Sequence, residues 1–284
     1  MSYTKIQSLR ETNLTIQPII QTIPNYRSFF YTFQTASPIE LGRLQKDYIE
    51  STECIKDGYV LLTYDAMRRT QCVSFLKSIK RMTDMYLHLM AGIQLLNANR
   101  VVHLNIKFDA TVFVANNSLP LLGGFEYYSA IMADYVSVDK MLERPIECRA
   151  IRYLLVHKLA SLSITNIQDI CFDEEDNDDA QQDQQDQQFL TTFINMPLKQ
   201  LITSLLSYSG TWNVFSLNEL FLKLLHRDTP NVFVSKWKQC LLKGVSNNPR
   251  ERGCPSDYIA ETRALMYSAD LADLAMGASP LGSG

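Results

Sequence analysis

The chain has 284 residues, 46% of them apolar, and a formal charge of −3. That supplies enough apolar side chain for one large domain or two lobes sharing a core, and the charge argues against a broad nucleic-acid surface. The six cysteines (Cys54, Cys72, Cys148, Cys171, Cys240, Cys254) are scattered with no C-x-x-C pair, which excludes a clustered thiolate metal site and suits reduced, structural thiols in an intracellular compartment. The opening residues MSYTKIQSLRETN lack the apolar core of a signal peptide. No run approaches the roughly 18 apolar residues of a membrane span.

Residues 14–22 carry apolar side chains at helical spacing, and Pro24 follows as a helix stop. Pro18 fits that helix only near its start. Residues 28–36 (SFFYTFQTA) and 58–64 (GYVLLTY) are rich in aromatic and β-branched residues and predict two strands. From 75 to 96 apolar residues recur at 75, 76, 79, 82, 86, 89, 93 and 96, the stripe of an amphipathic helix. His88 and the methionines on it predict packing rather than ligation. Residues 101–126 (VVHLNIKFDATVFVANNSLPLLGGFE) read as short apolar strands around a polar turn, closed by a glycine pair.

The next stretch, 126–144, holds Tyr127, Tyr128, Tyr135, Ser129 and Ser137 and reads as a surface loop, with a phosphorylated switch as the alternative. Residues 171–188 (CFDEEDNDDAQQDQQDQQ) have almost no apolar content and predict a solvated spacer. Residues 211–225 (TWNVFSLNELFLKLL) are apolar on nearly every face, as in a helix buried all round. His226-Arg227-Asp228 spells H-R-D, but no L-K-x-x-N follows it, and Asp before Thr-Pro is ordinary turn chemistry. Residues 237–245 predict another amphipathic helix, and 269–284, ending GASPLGSG, a flexible tail.

Taken in order, these segments resemble a protein kinase. His103, Leu104, Asn105, Ile106, Lys107 and Ala110 fall on the H, R, D, L, K and N of the catalytic loop. The D-F-G turn falls on Gly123-Gly124-Phe125, or on Gly124-Phe125-Glu126 with one residue inserted. Tyr64-Asp65-Ala66-Met67 takes the place of the hinge, and Arg144-Pro145-Ile146-Glu147 that of A-P-E. Asn213 takes the place of the aspartate in the central helix motif D-x-W-S, next to Trp212, and Asn248-Pro249-Arg250-Glu251-Arg252 resembles D-P-x-x-R. The resemblance implies an α+β fold with a reduced, β-containing N-lobe (1–66) and a mainly helical C-lobe (67–268). It also implies a long-range pair between Arg252 and Glu147.

It implies lost chemistry as well. In a kinase the loop aspartate accepts the substrate proton, and the loop asparagine and turn aspartate hold Mg²⁺. Asn105 is no base, Ala110 has no side-chain oxygen, and the turn offers glycine in either register. No G-x-G-x-x-G precedes the first helix, Lys5 is the one lysine there, and Glu11 comes too early to pair with it. The expectation is a pseudokinase acting through protein partners, with no metal and at most weak ATP binding. The alternatives are an unorthodox serine/threonine kinase using Asp109, Glu126 and Lys107, and a structural assembly component. The truncated lobe most resembles the kinase-like proteins of large DNA viruses, which would place the chain in host cytoplasm or in the virion.

Overall fold

The computed structural model describes residues 2–8, 14–39, 58–65, 78–103, 106, 112–114, 119–125, 130–132, 207–225, 231–246 and 249–275. These form a mixed structure in which a small antiparallel sheet sits over a helical core. The strands are β1 (Ser2–Ser8), β2 (Thr35–Ile39), β3 (Tyr59–Asp65), β4 (Val101–His103), β5 (Val112–Val114), β6 (Pro120–Leu122) and β7 (Ala130–Met132). The helices are α1 (Ile16–Thr22), α2 (Ile79–Ala98), α3 (Ser209–Leu224), α4 (Val232–Gly244), α5 (Pro255–Ser268) and α6 (Leu271–Ala275).

The upper sheet runs β1-β3-β2, with β3 antiparallel to both neighbours. Two further antiparallel pairs are β4 with β7 and β5 with β6. Strand β1 lies before α1, in a stretch where the sequence reading placed no element. The strand expected over 28–36 is a correction. Residues Tyr26–Ser28 make a 3-10 turn, Phe30 makes a lone parallel bridge to Leu122, and pairing with β3 begins only at Thr35. The cause is Asn25, held at φ 57°, a left-handed setting that asparagine tolerates better than most residues.

Helix α1 accepts Pro18 because its third position falls in the first turn, where the backbone N–H has no intrahelical partner. It ends at Ile23, extended at ψ 127°, as a residue before proline must be. Helix α2 is capped by Ser78, whose Oγ accepts from the N–H of Arg81 at 3.3 Å. One face of α2 is dry: Ile79, Met82, Tyr86, Leu89, Met90, Ile93 and Leu96 are buried, each contributing about 1.5–3 kcal/mol. Against it packs α3, buried continuously from Trp212 to Asn218.

Helix α4 starts at Asn231, whose Oδ1 accepts from Val234 N–H at 3.0 Å. It ends at Gly244, where a Cβ would stand 1.7 Å from Asn218 Nδ2, so only glycine lets α3 and α4 approach this closely. Residues 271–275 correct the expected tail. They form α6, with Leu274 in the core and the Asp273 carbonyl accepting from Asn231 Nδ2 at 2.9 Å. Residues 130–132 likewise form a strand inside the stretch read as a loop. No helix among the described residues is long and apolar enough to cross a membrane. The acidic and glutamine-rich spacer at 171–188 and the H-R-D at 226–228 lie outside the described residues.

Candidate functional site

The segment singled out by sequence, from β4 to the glycine pair, is fastened from below by one amide. Asn213, fully buried on α3, accepts from the backbone N–H of His103 at 2.7 Å. Its Nδ2 donates to the Val101 carbonyl at 2.9 Å and to Asn97 Oδ1 at 2.8 Å. Both the donor and the acceptor side of the amide are therefore used, and β4 is locked to α3 across more than a hundred residues of chain. Beside it, Asn97 Nδ2 donates to the Gly210 carbonyl at 2.6 Å.

From this anchor an unbroken column rises through the molecule. The His103 imidazole, fully buried, bonds through Nε2 to the Gly123 carbonyl at 2.9 Å. It meets Phe125 edge-on at 5.3 Å between centroids, and Phe125 in turn meets Phe30 edge-on at 5.6 Å. Phe30 belongs to the turn that ties the sheet to the helices. Phe29 O accepts from Leu122 N at 2.9 Å, Tyr31 N donates to Leu122 O at 2.8 Å, and His88 Nε2 bonds Ser28 O at 2.8 Å while stacking on Phe29. The glycine pair turns the chain at the top of this column, with Gly124 at φ 86°, a setting that favours glycine.

Burial fixes the charge state of His103. Removal from water holds its imidazole down, to about 4 from the ordinary 6.5, with the Gly123 carbonyl opposing only in part. Between those values the unfolded chain binds a proton that the folded chain does not. Stability is therefore complete above pH 6.5 and falls as pH drops toward 4, by roughly 3 kcal/mol over the window. His103→Gln keeps an N–H for Gly123 but does not titrate. The difference in unfolding free energy between wild type and His103→Gln should therefore change across pH 6.5 to 4. His88, also held below its ordinary value by burial, is common to both and cancels. A flat difference would mean that His103 is not kept neutral.

The remaining residues fall as follows. Tyr64 and Asp65 end β3. Tyr64 is buried among aromatic rings and Asp65 is exposed. Trp212 and Arg252 are buried. The Arg252 guanidinium lies over the Phe215 ring at 4.5 Å, with Nε donating to the Ser246 carbonyl at 2.6 Å. Asn105, Lys107, Asp109, Ala110, Glu126, Glu147, Ala66 and Met67 lie outside the described residues. No group of three or more side chains able to hold a metal occurs among the described residues.

Sequence reasoning missed the places of two polar residues in the upper half. Lys5 sits opposite Leu62 in the β1–β3 register. Directly opposed residues share a face, so Lys5 lies on the face that carries Leu62 into the core. Gln17 on α1, 4% exposed, donates through Nε2 to the Phe33 carbonyl. The one signal for β1 was the alternation in Ser-Tyr-Thr-Lys-Ile-Gln-Ser, too polar to stand out as a strand.

No protein-family model matches the chain, and no curated protein does. Among solved structures it is similar to a divergent kinase lacking the glycine-rich loop, which regulates membrane ultrastructure of the Toxoplasma parasitophorous vacuole. That likeness covers 98% of this chain and 72% of the other, at 10% identity and a TM-score of 0.45. At that level it assigns neither activity nor partner to this chain.

Proposed function

We propose that this chain is a kinase-like fold that no longer transfers phosphoryl groups and acts by binding a protein partner, as a scaffold or regulator. The observation that carries the reading is the turn after β6. Phe125 seats against His103, which favours the register Gly124-Phe125-Glu126 for the metal-binding turn. The place of the Mg²⁺-holding aspartate is then Gly124, at φ 86°. The sequence removes the other two contributors, Asn105 for the base and Ala110 for the second ligand. Loss of a general base alone costs about 10²–10⁴ in rate, and loss of metal neutralisation costs several kcal/mol more.

One observation favours a working phosphotransferase instead. Lys5 lies on a strand beside β3, opposite the buried Leu62, and in the enzymatic reading it would contact phosphate. Thermal unfolding with ATP and with ATP plus Mg²⁺ separates the two readings, alongside an assay for phosphoryl transfer to protein. Ligand at a hundred times its dissociation constant adds about 2.7 kcal/mol, and each kcal/mol moves the midpoint by roughly 2–4 °C. The expected result is no Mg²⁺-dependent shift and no transfer. Mg²⁺-dependent stabilisation together with transfer that Lys5→Met abolishes would replace the proposal with the enzymatic reading.

A further inference from the structure

We propose that Tyr31 is a built-in plug, filling the slot between the sheet and β6 that would otherwise take a planar aromatic amine of the adenine type. This rests on the inactive kinase-like reading and adds a specific closure to it. The backbone of Tyr31 belongs to the lower half, its N–H donating to the Leu122 carbonyl of β6 at 2.8 Å. Its side chain crosses to the upper half, where the hydroxyl donates to the Asp65 carbonyl at the end of β3 at 2.5 Å. The ring is 9% exposed and belongs to one apolar cluster with Val60, Leu62 and Tyr64 of β3 and Leu121 of β6. It lies 5.4 Å from the Tyr64 ring, tilted by 31°.

A flat ring between apolar walls, with one donor aimed at a strand-end carbonyl, is how a heteroaromatic amine would sit in this space. Tyr31 reproduces both parts, the ring and the donor. Gln34 reinforces the closure from the side: its N–H donates to the Thr63 carbonyl at 2.6 Å, and its Nε2 to Asp65 Oδ2 at 2.6 Å. The strand end is thus engaged by the chain's own side chains, and the phenol must leave before a base can enter. Cutting the side chain back leaves a cavity with apolar walls and one acceptor at its rim, and such cavities take up small aromatic molecules.

The test compares wild type, Tyr31→Phe, Tyr31→Leu and Tyr31→Ala by thermal unfolding and equilibrium binding, with adenosine and p-cresol as probes. Wild type and Tyr31→Phe, both still plugged, should bind neither. Tyr31→Ala should melt lower, be restored by p-cresol, and bind adenosine roughly tenfold or more tightly than wild type. If Tyr31→Ala does not fold, Tyr31→Leu carries the same expectation. Three outcomes overturn the plug: adenosine binding by wild type, a folded truncation that takes p-cresol but not adenosine, or one that takes neither. Adenosine binding by wild type without phosphoryl transfer overturns the plug alone, whereas Mg²⁺-dependent transfer by wild type overturns the proposed function.

Discussion

Replacing Asn213 with leucine is expected to lower stability by about 3–5 kcal/mol, since it strands two buried backbone groups and an amide at once. The groups are the His103 N–H, the Val101 carbonyl and Asn97 Oδ1, all partners of Asn213 in the fold. At roughly 2–4 °C per kcal/mol this is a fall of about 10 °C in melting midpoint. Asn213→Asp is the sharper probe. A carboxylate still accepts from His103 but donates nothing, and it turns an oxygen toward two other oxygens. The aspartate variant should therefore also melt well below wild type at neutral pH. Equal stability of aspartate and asparagine would show that the two amide donations contribute nothing.

The second large effect is expected at Arg252, which is 8% exposed and held by Ser246, by Thr211 Oγ1 at 3.4 Å, and by the Phe215 face. The kinase resemblance implies Glu147 as its carboxylate partner, and we propose that pair. Breaking a buried pair by removing one partner costs about 3–5 kcal/mol, because the other charge is left uncompensated. Arg252→Met and Glu147→Gln should each show a loss of this order. The double variant should lose less than their sum, with a coupling of about 1 kcal/mol or more. Strict additivity in chemical denaturation would remove Glu147 as the partner while leaving the packing of Arg252 on Phe215 intact.

How much of this was legible beforehand varies with the physics of each element. Helices α2 and α3 and strand β3 announce themselves, because a long apolar stripe or run must be buried and its period says in what form. Strand β1 does not, since its seven residues are mostly polar and become a strand only by pairing with β3. Residues 28–36 misled for the opposite reason. Their aromatic content fits a strand, yet Phe29, Phe30 and Tyr31 are spent joining the sheet to β6 and α2, a tertiary demand that local propensity cannot reveal. Asn213 was visible as a position, and it does accept from the loop backbone at His103, but its two donations were not foreseen. By sequence it is an aspartate that lost its charge. In place it is an amide that serves two acceptors, Val101 O and Asn97 Oδ1, which a carboxylate would repel. Helix α6 was hidden by the flexible composition around it, and the seating of Leu274 and the Asn231 bond to the Asp273 carbonyl disclose it.

The bonds that assemble the lower half span a wide gap in the chain: Asn97 to Gly210, His103 to Asn213, and Tyr86 to Asn218 at 2.7 Å. On one side of the gap stand α2 and β4, and on the other α3 to α6. These contacts are side-chain grips and helix packing, and none of them runs through the intervening peptide. Among the described residues the lower half is thus two interlocking pieces, and a molecule cut within residues 171–188 would keep these three grips with no covalent link between them.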